Sequence, residues 1–158
     1  MKINKIVSFV LTVTIFSLLC SCAGSGVPYS EFKPVPTEGW SKQYTLNFNF
    51  SDSISTTPVD LSVCVRHDNY YAYSNLWLLM DYVSKGKVVA SDTVNIPLSD
   101  KYGNWYGSGL GKLYQTTLEV KKNFDFKHID EVIVWHYMRP DTVEHLSDLG
   151  LILTSQEN

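Results

Sequence analysis

Hydrophobic and polar residues alternate along most of the chain, with the period of two that is typical of half-buried β-strands. The alternation is clear at positions 44–50, 61–65 and 113–120, and it returns at 129–137, where Val132, Val134 and His136 share a face. A nearly continuous apolar run at 76–83 predicts a central strand, because a strand covered on both faces needs no polar side.

Turn residues separate these segments. Ser84-Lys85-Gly86-Lys87 predicts a hairpin turn into a strand at 88–98, and a last strand is expected at 149–153. No segment shows a convincing helical period of 3.6. Seven or eight short strands and a long glycine-rich loop at 99–111 predict an all-β fold, a single β-sandwich with a jelly-roll-like order.

Residues 1–21 have the features of a secretory signal peptide. Lys2 and Lys5 precede an apolar stretch at 6–19, which is shorter than the ~20 apolar residues that a membrane-spanning helix needs. The stretch ends in Leu19-Cys20-Ser21-Cys22, the pattern of a lipoprotein signal in which the Cys22 thiol takes the lipid, palmitate included. Ordinary secretory cleavage beside two bystander cysteines is the alternative.

The remaining chain predicts two parts. Residues 22–37 begin with small residues and end in a proline-rich stretch, so we expect the lipidated cysteine and an extended tether there. The β-sandwich domain is then expected at 38–158. Cys64 is left without a partner for a disulfide and is interpreted as a small apolar residue inside a strand.

Composition and motifs argue against several classes of function. The net charge is −3 and the cations do not cluster, which argues against a nucleic-acid partner. The serines include no Gly-x-Ser-x-Gly motif, and His128, His136 and His145 lack the spacing of a zinc site, so we expect no enzyme, metal or cofactor. Asp100 and Asn104 are the residue types of a calcium loop, but a turn held by their side chains is the favoured interpretation.

Aromatic residues are abundant, with 10 Tyr, 7 Phe and 4 Trp, and several fall in two loops. We expect these loops to meet and form one interaction patch, because aromatic-rich and charge-poor surfaces are typical of interface anchors. The alternative is that the rings close one end of the core. If they are exposed, flat rings also suit sugar binding, and a carbohydrate-binding lipoprotein module is the second functional hypothesis. The candidate patch consists of His67, Asn69, Tyr71, Tyr73, Asn75, Asp100, Trp105 and Tyr106.

Four ordered stretches carry a family resemblance: YSEFKPVP at 29–36 with Gly39-Trp40, RHDNYYAYSNL at 66–76, PLSDKYGNWYGSGLG at 97–111, and LSDLGL at 146–151. Together they resemble the gliding-motility lipoprotein GldH family. The resemblance implies a non-catalytic structural or interaction component of the gliding-motility and type IX secretion-associated machinery, with other envelope lipoproteins as partners. Since no acidic run follows Cys22, we expect a lipid-anchored protein of the outer membrane that faces the periplasm.

Overall fold

The computed structural model describes residues 29–50 and 58–155, and the regular secondary structure of these residues is entirely β. Their strands, in chain order, are β1 (Tyr29–Pro34), β2 (Trp40–Ser41), β3 (Leu46–Asn49), β4 (Val59–Asp68), β5 (Asn75–Ser84), β6 (Lys87–Pro97), β7 (Ser108–Leu110), β8 (Leu113–Phe124), β9 (Glu131–His136), β10 (Thr142–Val143) and β11 (Leu146–Ser155). These two ranges contain no helix that is long and apolar enough to cross a membrane.

The strands form two main sheets. The first sheet has the order β1-β11-β4-β8-β7, the second sheet has the order β3-β9-β5-β6, and β2 pairs with β10 in a small ribbon. Apart from the three shortest strands, the first strand pairs with the last, the second with the next to last, and so on inward to the β5–β6 hairpin. This nested antiparallel order is that of a jelly roll, so the predicted fold class is confirmed.

The alternation of the sequence determines which residues form the core. Leu61, Val63 and Val65 of β4 face inward from the first sheet and are fully buried. Leu78 and Met80 of β5 are fully buried on the second sheet. The predicted central strand is confirmed, because β5 lies between β9 and β6.

The predicted hairpin turn between β5 and β6 is also confirmed. Lys85 and Gly86 both have positive φ, at 49° and 72°, and Ser84 pairs with Lys87. Two such residues in succession make the turn type whose twist matches that of two antiparallel strands.

The predicted boundary between tether and domain is too late. Tyr29–Pro34 forms β1 and pairs along β11, so residues 29–34 belong to the first sheet. Pro34 argues against a strand at the sequence level, although an edge strand such as β1 tolerates a proline at its end. The signal peptide, Cys22 and the start of the tether lie outside the described residues.

The loop at 99–111 is more regular than expected. Ser99 forms a bridge with Trp105, and Ser108–Leu110 is the short strand β7 beside β8. Gly107 is required at this approach, because a Cβ built there would lie 1.9 Å from the backbone oxygen of Gln115. The glycines of this segment therefore bring it flat against the first sheet.

The sandwich has two distinct ends. The chain enters at Tyr29, whose ring lies 4.6 Å from Phe50, and Phe50 lies 5.1 Å from Phe126; we call this the entry end. Strand β4 runs from there to His67 and Asp68 at the far end. The ten residues of β4 correspond to a length of ~30 Å.

Candidate functional site

The two loops of the candidate patch meet at the far end, but three of their rings close the core. The His67 ring centroid lies 4.6 Å from that of Trp105 and 5.5 Å from that of Tyr71. Tyr114 of β8 stacks on His67, with ring centroids 5.7 Å apart. His67 is fully buried, Tyr71 is only 3% exposed and Trp105 is half-buried. His67 and Tyr71 are therefore sealing residues and not surface anchors, which corrects their predicted role.

Burial also determines the chemistry of His67. Desolvation lowers the pKa of its imidazole, with only a partial opposing effect from the Asp68 carbonyl and carboxylate. Its Nδ1 lies 2.8 Å from the Asp68 carbonyl oxygen, which can only accept, so Nδ1 carries the proton. Within the described residues Nε2 has no hydrogen-bond partner. The neutral imidazole therefore packs here as an aromatic ring.

Asp100 holds a turn. Its carboxylate accepts hydrogen bonds from the Tyr102 amide and from both the amide and side-chain nitrogens of Asn104, at 2.8–2.9 Å. These bonds, that from the Asn104 side chain first, lower the pKa of Asp100. The arrangement is the side-chain-stabilised turn that the sequence favoured. Asn69 and Tyr106 are exposed beside the sealed end.

Tyr73 and Asn75 of the candidate patch belong to a different surface, the outer face of the second sheet. There Trp77 of β5 is 39% exposed and Tyr137, just after β9, is 62% exposed. The Tyr137 amide donates to the Trp77 carbonyl at 2.7 Å, so the two residues are cross-strand neighbours. Together with Tyr73, which is 37% exposed, they line an open groove of about 480 Å³. This groove, called the aromatic groove below, is lined by Tyr73, Asn75, Trp77, Thr93, Tyr137, Met138, Arg139 and Pro140.

The strand period explains why these rings face solvent. Leu76 and Leu78 point into the core, so Trp77 between them must point outward. On the outer face of the first sheet the corresponding positions of β4 and β8 carry polar residues such as Ser62 and Thr117. Large exposed rings thus distinguish the outer face of the second sheet.

The sequence gives little indication of this surface. Trp77 lies within the apolar run at 76–83, which predicts a central strand and not a binding surface. Its alternation with Leu76 and Leu78 was the available signal, but period alone does not show that the second face lacks a covering layer.

The groove is weakly polar and carries one cation. Arg139 is exposed at its rim, and no carboxylate is among the lining residues. Within residues 29–50 and 58–155 no acidic side chain pairs with the Arg139 guanidinium. Lys42 lies on the other side of Arg139, where it pairs with Asp141 at 3.3 Å and donates to the Arg139 carbonyl at 2.8 Å.

The three histidines weighed for zinc do not assemble. His136 is buried with its ring 5.7 Å from that of Trp40, His145 pairs with Asp68 at 3.0 Å, and His128 is exposed. The part of the chain that the structure describes holds no group of three or more His, Cys, Asp or Glu side chains suited to a metal ion.

Fold and surface together define a jelly-roll domain with an open aromatic groove on one outer sheet face. The chain belongs to the GldH lipoprotein family, whose model matches residues 27–153. Membership in a lipoprotein family indicates a lipid-anchored protein of the cell envelope, and the family is linked to gliding motility.

Two relatives support this assignment. The gliding motility lipoprotein GldH homolog of Christiangramia forsetii is 30% identical, over 95% of this chain and 94% of its own length. The gliding motility lipoprotein GldH of Flavobacterium johnsoniae is 24% identical, over 89% of this chain and 91% of its own length. Among solved structures, the tobacco streak virus coat protein matches 82% of this chain and 88% of its own at 10% identity, but its TM-score of 0.26 carries no argument.

Proposed function

We propose that this chain is a non-catalytic interaction component of the envelope machinery for gliding motility and the type IX secretion associated with it. The lipid on Cys22 holds it in the outer membrane, facing the periplasm. Other envelope lipoproteins of motility and secretion are its partners. Family membership across nearly all of the described chain supports the link to motility.

The observation that carries the proposal is where the chain enters the sandwich. Tyr29 begins β1 at the entry end, and the aromatic groove opens toward the far end. The few residues from Cys22 to Tyr29 span at most ~25 Å when fully extended, since each residue adds ~3.5 Å. A lipid on Cys22 therefore keeps the entry end near the membrane and directs the far end toward partners.

Photo-crosslinking from two outer faces tests this proposal. A photoreactive phenylalanine replaces Trp135, which is half-buried on the outer face of the second sheet. The matched control replaces Thr117, exposed on the outer face of the first sheet. In native envelopes we expect the Trp135 position to capture a motility or secretion protein and the Thr117 position to capture none. No adduct from Trp135, or the same adducts from both positions, contradicts the proposal.

The aromatic groove favours a second function, carbohydrate binding. Trp105 and Tyr71, which the sequence indicated for this role, pack together and seal the core. The side chains of Trp77 and Tyr137 are exposed instead. In affinity electrophoresis through polysaccharide gels, Trp77→Ala is expected to abolish retardation. Equal retardation of the wild type and of Trp77→Ala counts against this function.

A further inference from the structure

The aromatic rings of the groove suit a sugar in chemistry. Trp77 and Tyr137 are backbone neighbours across adjacent strands, which lie ~4.8 Å apart, and both exposed side chains line the groove. The face of an aromatic ring is electron-rich and the axial C–H groups of a pyranose are electron-poor, so the two attract. Tyr73 adds a third aromatic side chain to the lining of the groove.

Polar groups around these rings match the hydroxyl groups of a sugar. Asn75 donates from its side-chain nitrogen to the Asn95 side-chain oxygen at 2.7 Å, which orients the Asn75 amide. The second N–H and the carbonyl oxygen of that amide have further hydrogen-bonding capacity, and Thr93 adds a hydroxyl beside them. A few fixed polar groups around an apolar surface are typical of small-ligand sites.

The charge of the groove selects among sugars. Arg139 is its only formal charge, because the other lining residues are neutral. The neighbouring Lys42 is already paired with Asp141, whereas no acid within the described ranges pairs with Arg139. A guanidinium matches a carboxylate through two parallel hydrogen bonds, so an anionic ligand gains most at this position.

We infer that the aromatic groove binds hexuronate units of acidic glycans, with the pyranose ring on Trp77 and Tyr137 and the carboxylate on Arg139. This inference rests on the carbohydrate-binding function proposed above and names its ligand class.

A matched pair of sugars tests the inference. The full lipidated chain in detergent micelles is titrated with tri-galacturonate and with the neutral galactotriose. We expect the acidic trisaccharide to bind about tenfold tighter, as one charge-assisted contact would provide, and the preference to shrink as salt is raised. Arg139→Gln should abolish the preference while retaining neutral binding, and Trp77→Ala should abolish both.

The controls separate binding from folding. The side chains of Arg139 and Trp77 are exposed, so Arg139→Gln and Trp77→Ala should keep the melting temperature of the wild type within a few degrees. Lys87→Gln removes an exposed cation at the β5–β6 hairpin, away from the groove, and should bind like the wild type.

Each contrary outcome has a distinct meaning. Equal binding of both sugars, or a preference that survives Arg139→Gln, overturns the hexuronate inference and leaves carbohydrate binding standing. Failure of the folded protein to bind either sugar overturns both, but not the motility proposal, which the Trp135 crosslink tests separately. If a photoreactive residue at Tyr137 captures an envelope protein that galacturonate does not displace, the groove is a protein interface and the inference is wrong.

Discussion

At the residue scale, His67 shows how a polar side chain becomes part of an apolar core. Its imidazole is surrounded by the rings of Tyr71, Trp105 and Tyr114, and the Asp68 carbonyl oxygen accepts a hydrogen bond from it. Charging this ring would place a cation in a buried site, which is why its pKa is lowered. His136, buried near Trp40, has a lowered pKa for the same main reason.

These two histidines predict a loss of stability in acid. The unfolded chain takes up a proton at each near pH 6.5, whereas the folded chain remains neutral until a lower pH. The free energy of unfolding should therefore decrease below pH ~6.5, by about 1.4 kcal/mol per pH unit for each histidine. Urea denaturation between pH 7.5 and 5.5 measures this dependence of the unfolding free energy on pH. His67→Phe should remove the contribution of one proton, about 1.4 kcal/mol per pH unit.

A second measurement does not depend on the variant folding. In the wild type, the NMR shifts of the His67 ring should show a titration midpoint below the ordinary histidine value of ~6.5. A midpoint at or above that value would contradict the prediction.

Gly107 is a second single-residue requirement. Its φ is +83° and a Cβ would meet the Gln115 backbone oxygen, so alanine must both adopt a strained conformation and push β7 away from β8. We expect Gly107→Ala to cost about 2–4 kcal/mol. Gly103→Ala is the matched control: its φ is +85° but nothing lies within 4 Å, so only the backbone strain of about 1 kcal/mol applies. Equal costs for the two variants in urea denaturation would contradict this account.

At the element scale, β5 uses its two faces for different purposes. Its inward residues are fully buried, and its outward residues form the wall of the aromatic groove and the surface beside it. Neighbours in the sheet extend the division, since Leu79 lies between Trp135 of β9 and Thr93 of β6. One strand thus connects the stability of the core with the accessible surface.

Neighbouring leucines of β5 test this division. Leu78→Ala leaves a cavity in the core and should cost about 2–5 kcal/mol. Leu79→Ala removes the same atoms from the half-buried outer face and should cost about 1 kcal/mol or less. The free energy of unfolding of each variant provides the comparison. A Leu79 cost as large as that of Leu78 would mean that this sheet face is covered in solution.

At the scale of the whole molecule, the jelly roll separates the point where the chain enters the domain from the exposed aromatic rings. Residue 29 enters the first sheet at the entry end, and the exposed rings stand on the outer face of the second sheet toward the far end. The two sheets are joined at one edge by the Lys121–Asp92 ion pair, whose nitrogen–oxygen distance is 2.8 Å.

Attachment itself is tested at two cysteines. Cys22→Ala removes the thiol expected to carry the lipid, so palmitate labelling should be lost and the protein should leave the membrane fraction. Cys20→Ala changes a residue expected to be removed with the signal peptide, and it should retain both. Labelling that persists in Cys22→Ala would contradict the assignment.

Side chains in a strand alternate with a period of two and turn residues mark the strand ends, so the sequence was sufficient to predict most of the strands and the fold class. It placed the hairpin at Ser84–Lys87 and the inward faces of β4 and β9 correctly. It missed β1, since the pairing of Tyr29–Pro34 with β11 joins residues more than a hundred positions apart and leaves little local pattern.

Which aromatic rings are accessible depends on the tertiary structure. His67 ends β4, and Tyr71 and Trp105 lie in loops, all with polar neighbours, yet the far end of the sandwich closes over them. Trp77 lies in an apolar strand, yet no described element covers its outer face. Exposure depends on what packs above a residue, and that is a property of how distant strands stack and not of the local order of side chains.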